Sequence, residues 1–361
     1  MKQYEMIELS FFGQAPKGSH VDIDLSVVIT CGSDTKTVKG FYAGNCQYKV
    51  RFLPEKAGIY TYHIHGCINV NGTLDVAPAD GAHHGVVKTE GTRFVYADGK
   101  AYHPFGTTIY ELIFQKDDII RSTMNSLSKS PFNKVRMFVF PSHSEWDTSE
   151  PECFPFVKDH EGNWDVHHPC FEFWDALERY LMELDALQIQ SDLILFHSYD
   201  RWGFNTMTQE QNLVYLDYLL RRLSALPNMW WSLANEYELT PKTMEQWEQI
   251  ECFVADNDPY HHPLSCHNVF RLWDFTRSNV THASIQSKMF AKLNLWRKQY
   301  QKPIILDECA YEGNLSQIWG CISGREMTSR FWRACVTVRI AHMERHIWMI
   351  MVFFGFLKVG F

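Results

Sequence analysis

Several absences bound this chain of 361 residues. Its ten cysteines include no C-x-x-C pair, which excludes the usual zinc-ribbon and redox spacings. It lacks a basic surplus: 34 Lys and Arg against 42 Asp and Glu give a net charge of −8, whereas nucleic-acid binding relies on a basic surface. His197, His267 and His282 come from different strands and form no H-E-x-x-H segment or short-spaced ligand pair, so neither a metal nor another cofactor is expected. Residues 1–18, MKQYEMIELSFFGQAPKG, contain no continuous apolar stretch of the secretory kind. The expectation is a cytoplasmic chain with free thiols, or a periplasmic or secreted one if a signal has been trimmed. The most apolar run, IWMIMVFFGFLKVGF at 347–361, is shorter than the ~20 residues of a membrane span and contains Lys358, so no membrane partner is expected. None of this bears on oligomeric state.

Aromatics are plentiful instead: 12 Trp, 16 Tyr and 25 Phe, whose flat faces suit cores and sugar-ring stacking alike. Single cores stop growing near roughly 250–300 residues, so one large and one small domain are expected. Residues 4–88 carry short β-type runs such as VDIDLSVVITC and YKVRFLPEKAGIYTYHIHG, whose alternation fits strands half buried against a second sheet. From about residue 90, strands alternate with helices. NKVRMFVF, SDLILFH, NMWWSLANE, HPLSCHN, VTHASIQ and KPIILDE read as strands, and a helix is expected to open with Thr240 as cap and Pro241 in its first turn. A doubly wound sheet would normally show a glycine-rich first turn, and HPFGTTIYE offers only Gly106. The expected class is α/β: a (β/α)8 TIM barrel at 89–361 preceded by a small all-β sandwich at 1–88.

Barrel enzymes place their chemistry at strand C-termini. On that reading Thr108 and Tyr110 follow the first strand, Arg136 lies on the second, and His197 ends the third. Asn235 and Glu236 end the fourth, His267 and Asn268 the fifth; His282 and Gln286 flank the sixth, and Asp307 and Glu308 end the seventh. Two acids ending strands four and seven suit glycoside hydrolysis, which needs two carboxyls facing one bond. Tyr199, Trp202, Tyr311 and Trp319 sit in loops where sugar stacking and ordinary packing are both open. Asp200, Glu238, Asp307 and Glu312 are expected decoys, Asp307 because the pleat sends it to the face opposite Glu308 and away from the interior.

The segments YHPFGTTIYELIFQ, FNKVRMFVFP, DLILFHSYDRWGF, WWSLANEYEL, VTHASIQ and PIILDECAYEG, over about residues 4–335, resemble the bacterial clan A glycoside hydrolases that join an N-terminal β-sandwich to an apiosidase-like or cellulase-like barrel. The resemblance implies a retaining enzyme whose partner is a carbohydrate of plant or microbial origin. It makes Glu236 the acid/base and Glu308 the nucleophile, with Arg136 beside the nucleophile and Asn235 on the sugar 2-OH. His197, His267 and His282 would line the subsite next to the scissile bond, and Tyr110, Trp202 and Tyr311 would also bind substrate. The tail departs from the pattern: AHMERHIWM keeps the spacing of a family loop but not its residues. Either the chain is out of frame after about residue 337, leaving an incomplete, poorly soluble barrel, or 345–353 is an ordinary apolar eighth strand. The alternative function is a carbohydrate-binding protein that keeps the barrel without turnover.

Overall fold

The computed structural model describes residues 1–143, 150–313, 319–339 and 350–354. Seven strands come first: β1 (Ile7–Phe12), β2 (Leu25–Cys31), β3 (Asp34–Lys39), β4 (Phe41–Tyr42), β5 (Gln47–Phe52), β6 (Gly58–Gly66) and β7 (Val70–Val76). They pair antiparallel into two sheets, in the orders β1-β5-β4 and β3-β2-β6-β7. Alternation explains the arrangement. Leu25, Val27 and Ile29 of β2 are buried while Ser26, Val28 and Thr30 are only half-buried, so one face enters a core shared with Val50, Phe52 and Ile64.

A small antiparallel sheet follows, made of β8 (Val87–Glu90), β9 (Arg93–Tyr96) and β10 (Ala101–Tyr102). Its Val87, Phe94 and Tyr102 pack with Trp230 and Ile305. The rest of the chain alternates. In order come β11 (Gly106–Thr108), α1 (Asp117–Leu127), β12 (Lys134–Phe138), the hairpin β13 (Phe156–Lys158) and β14 (Trp164–Pro169), α2 (Phe171–Ala186), β15 (Gln190–Ile194) and α3 (Gln209–Leu223). Then follow β16 (Met229–Ser232), α4 (Met244–Asn257), β17 (Leu264–Ser265), β18 (Ala283–Gln286), α5 (Leu293–Tyr300), β19 (Ile304–Glu308), α6 (Gly324–Arg339) and β20 (Ile350–Phe354).

Eight of these strands form one parallel sheet in the order β17-β16-β15-β12-β11-β20-β19-β18, and no strand before residue 85 joins it. The two strands at the ends of that order also meet: Thr281 N donates to Leu264 O at 2.9 Å and Ser265 Oγ to His282 O at 2.7 Å. Gly106 has a packing reason, because a Cβ there would lie 2.6 Å from the Lys134 carbonyl oxygen. All eight C-termini therefore face one edge, which builds the site. β20 pairs with both β11 and β19, the place of an eighth strand. The segment AHMERHIWM, on which the frameshift reading turns, lies outside the described residues. Among the described residues no helix is long and apolar enough to cross a membrane.

One helix start differs from expectation. Thr240 does not cap: its Oγ1 donates to Tyr237 O, and the helix begins after Thr243. Thr243 and Gln246 complete a reciprocal capping box, whereas the residue three after Thr240 is another Thr, which cannot reach back in the same way.

The all-β part docks on α2 and α3 through a buried ion triad. Arg51 of β5 donates to Glu178 at 2.9 Å and to the Arg222 carbonyl at 2.7 Å, and Arg222 pairs with the same Glu178. Both guanidinium groups also lie over the Phe41 ring, 4.9 and 5.0 Å from its centre. Burial pushes the Glu178 carboxyl up, but the two arginines outweigh it and hold it at about 2. A depressed carboxyl contributes stability that is present above its unfolded value and lost as pH falls toward 2. Glu178→Ala, which strands two buried cations, is expected to cost about 3–5 kcal/mol in urea unfolding at neutral pH. The difference from the parent should shrink on acidification.

Candidate active site

β16 carries Trp230 and Trp231, both fully buried, and the chain then reaches Asn235 and Glu236 without a glycine. The turn is made by Glu236 itself, in left-handed backbone with φ 54° and ψ 57°, starting a single 3-10 turn at Tyr237–Leu239. That conformation costs a non-glycine residue on the order of 1–3 kcal/mol and persists only where its surroundings enforce it. Here Asn235 N donates to Phe196 O at 3.0 Å and Tyr237 N to His267 O at 3.1 Å, one bond on each side. The Tyr199 hydroxyl donates to Glu236 Oε2.

Glu308 ends β19. Its Oε1 accepts from the Tyr311 hydroxyl and, at 2.6 Å, from Trp319 Nε1; its Oε2 has no hydrogen-bond partner and lies 3.9 Å from His267 Nε2. The two glutamates are 5% and 1% exposed, a burial that decides their chemistry. Burial first, and then the charge of Glu236, push Glu308 up to about 8, against the pull of Tyr311, Trp319 and Arg136. Burial raises Glu236 as well, against donation from Tyr199 and Gln286. The charge of one carboxyl thus opposes ionisation of the other. Burial is also the main reason that the phenol of Tyr110 is raised, and both glutamates add to it.

Around this pair stand several of the residues expected from the sequence. The Tyr110 hydroxyl donates to Asn235 Oδ1 at 3.3 Å, fixing the amide. Phe138 stacks on Tyr110 at 4.3 Å and on His197 at 4.0 Å. His197 Nε2 donates to Phe140 O at 3.1 Å, and burial lowers its pKa to about 4, so it is neutral with Nδ1 an unused acceptor. His267 is likewise neutral, lowered by burial and then by Arg136, and neither ring nitrogen has a hydrogen-bond partner.

Three expectations need correction. His282 does not reach the mouth: its ring lies 5.1 Å from Trp230 and 5.5 Å from Phe94, in the apolar floor at the start of the strands. Asp307 is not turned away from the interior. It shares the inward face with Ile305, which packs on Trp230, and its Oδ1 lies 3.6 Å from Lys134 Nζ. Burial pushes Asp307 up, but Lys134 and Arg136 win and hold it at about 2. The pleat argument chose the wrong parity because the β18–β19 register shifts between Ser284 and Gln286, which sets Gln286 beside Glu308. Arg136 is nearest not to Glu308 but to Asp192 at 3.5 Å and Asp307 at 4.0 Å, although its charge still favours ionised Glu308. Trp202 stands in a loop cluster with Phe154 at 5.9 Å and His143 at 6.3 Å.

Two decoy acids are structural. Asp200 accepts from the amides of Trp202, Gly203 and Asn205, and Glu238 from those of Val269, Phe270 and Arg271. The Glu238 cage holds Phe270 out from the end of β17 with 85% of its surface exposed. Sequence reading did not find Phe270 or Phe138, since both depend on tertiary placement. Among the described residues, the side-chain groups spaced to hold a metal include neither glutamate nor any histidine named above.

Residues 88–340 match the family described as Apiosidase-like, catalytic domain, and residues 1–66 match a domain of unknown function, DUF5060. An inferred glycoside hydrolase from Bacteroides vulgatus is 38% identical with a TM-score of 0.89, over 98% of this chain and 71% of that one. A glycoside hydrolase family 5 protein from the same organism shares the fold at 12% identity and a TM-score of 0.54, over 76% of this chain and 62% of that one. So does the endo-1,4-beta-mannanase of Rhizomucor miehei, at 14% identity and 0.51, over 74% and 90%. No protein of curated function matches the chain.

A carboxyl raised in the fold contributes stability below its unfolded value of 4.5 and loses it as pH climbs through the folded value. Glu308→Gln is therefore expected to raise the thermal midpoint near neutral pH, by roughly 2–4 °C for each kcal/mol recovered. Below the unfolded value the gain should vanish. A lower midpoint near neutral pH, read by calorimetry, would show that the pair is not under electrostatic tension.

Proposed function

This chain belongs to the Apiosidase-like family, and from that premise we propose that it is a retaining glycoside hydrolase acting on a plant or microbial polysaccharide or oligosaccharide. The proposed architecture is a β-sandwich at 1–88 and a (β/α)8 barrel at 89–361; the hydrogen bonds from β17 to β18 support closure. The observation that carries the reading is a pair of buried carboxyls just beyond β16 and at the end of β19, both raised by burial, with the charge of Glu236 raising Glu308 further.

Burial alone favours the proton on the deeper Glu308. Each carboxyl has two hydrogen-bond donors, Tyr311 and Trp319 on Glu308 and Tyr199 and Gln286 on Glu236, and the Arg136 charge favours both anions. The reactive form needs the charge on Glu308 and the proton on Glu236. Glu308 attacks the anomeric carbon while Glu236 gives its proton to the leaving oxygen. A glycosyl ester forms, and Glu236 then takes a proton from the water that attacks it. Asn235, held by Tyr110, is placed to bond the sugar 2-OH. Tyr311 and Trp319 keep the Glu308 carboxylate oriented.

Retention requires the two carboxyls to stand about 5–5.5 Å apart. Glu308→Gln is expected to abolish turnover of aryl-glycosides and polysaccharides. Glu236→Gln should lower kcat/KM by about 10²–10⁴-fold on substrates with poor leaving groups, and far less where the leaving group needs no protonation. The pH profile should be a bell: activity falls in acid as Glu308 gains a proton and in alkali as Glu236 loses one, so the Glu236→Gln profile should lack the alkaline limb. Binding of sugar without turnover in the parent protein would support the carbohydrate-binding alternative. Phe270→Ala should raise KM for long oligosaccharides severalfold and leave aryl-monoglycosides unchanged, if the exposed ring stacks a distal sugar.

A further inference from the structure

Cys153 and Cys170 bracket the β13–β14 hairpin, one just before it and one just after. Their Sγ atoms lie 3.2 Å apart. The hairpin base sets this approach, with Phe156 paired opposite Pro169, Cys170 N donating to Pro155 O at 3.0 Å, and Trp174 Nε1 donating to the same carbonyl at 2.9 Å. Cys170 also occupies the N-cap of α2, where unpaired first-turn amides favour a thiolate. Its thiol is held at about 6, first by the Cys153 hydrogen bond and also by the Phe173 and Glu172 amides.

We infer that Cys153 and Cys170 form a disulfide by exchange with a low-molecular-weight disulfide such as oxidised glutathione. The Cys170 thiolate attacks one glutathione sulfur; the glutathione S–S bond breaks and one glutathione thiolate leaves. Cys153 then gives up its proton and attacks the Cys170 sulfur of the mixed disulfide, expelling the second glutathione thiolate. Two protein thiols are oxidised to one disulfide, the two electrons reduce oxidised glutathione to two glutathiones, and the two thiol protons end on them. From 3.2 Å the sulfurs need to close only to the bonded length of about 2.0 Å.

The cross-link would fasten the hairpin that carries Trp164. That ring stacks on Phe204 at 4.8 Å, packs on Phe154 at 4.9 Å, and donates from Nε1 to Trp202 O at 2.8 Å. The disulfide thus ties the aromatic wall beside the loop after β15 to the start of α2. The expectation of free thiols then holds in a reducing compartment and fails for this pair in an oxidising one.

The test equilibrates the full chain with oxidised glutathione at neutral pH, blocks free thiols by alkylation, and maps peptides by mass. The expected result is a dithiothreitol-reversible cross-link between the peptides of Cys153 and Cys170. The thermal midpoint should be at least about 3 °C higher oxidised than reduced, a difference lost in Cys153→Ser. Recovery of both thiols free, of a lasting glutathione adduct on Cys170, or of a pair held as zinc thiolates would overturn the inference. The mapping on the parent protein needs no variant and does not depend on any activity.

Discussion

Inside the eight-stranded sheet, Lys134 stands where water cannot reach it, paired with Asp192 of β15 and 3.6 Å from Asp307 of β19. Two residues along β12, Arg136 points to the same face and approaches the same two acids. Two cations and two anions, drawn from three strands, make a neutral cluster; losing one member would leave an uncompensated buried charge. The cluster fixes the guanidinium of Arg136 while none of its nitrogens makes a hydrogen bond. A positive charge anchored there joins Tyr311 and Trp319 in favouring ionised Glu308 against its burial.

The interior is therefore layered. At the start of the strands the small β8–β10 sheet closes the interior with Phe94 and Tyr102 against Trp230, and His282 joins them as a neutral, buried ring. The charge cluster lies above, with Lys134 over Trp230 at 5.0 Å, and the two glutamates lie at the far end. The β-sheet domain acts from outside. Arg51 ties β5 to α2 and α3, while Tyr260 beyond α4 accepts from Leu53 N at 2.8 Å and sits within the small domain's core.

The order of elements was legible because period-2 and helical patterns alternate cleanly, and Glu236 and Glu308 were legible as polar residues ending apolar strands. Position within a strand was not always enough. Asp307 and Glu308 are neighbours, and an extra residue in β19 between the Ser284–Ile305 and Gln286–Glu308 pairs breaks the alternation, so one meets Lys134 and the other His267. His282 and Gln286 flank the sixth strand, as expected, but His282 is on the side that precedes β18, so it belongs to the floor. Thr240 and Thr243 are both good caps by type, and the reciprocal Gln246 separates them. Tyr199 left sugar stacking and loop packing both open, and its hydroxyl serves Glu236. Such partnerships join residues far apart in sequence, and no local pattern encodes them.

The left-handed turn at Glu236 links backbone to chemistry. In continued extended backbone Asn235 and Glu236 would face opposite ways. Breaking the alternation at Glu236 lets both side chains serve one site: Asn235 meets Tyr110, and Glu236 meets Tyr199 and the field of Glu308. A glycine would relieve the backbone but remove the carboxyl. The strain of the turn and the repulsion between the glutamates therefore fall on the same residue, which hydrogen bonds from Tyr237 to His267 and from Asn235 to Phe196 hold in place.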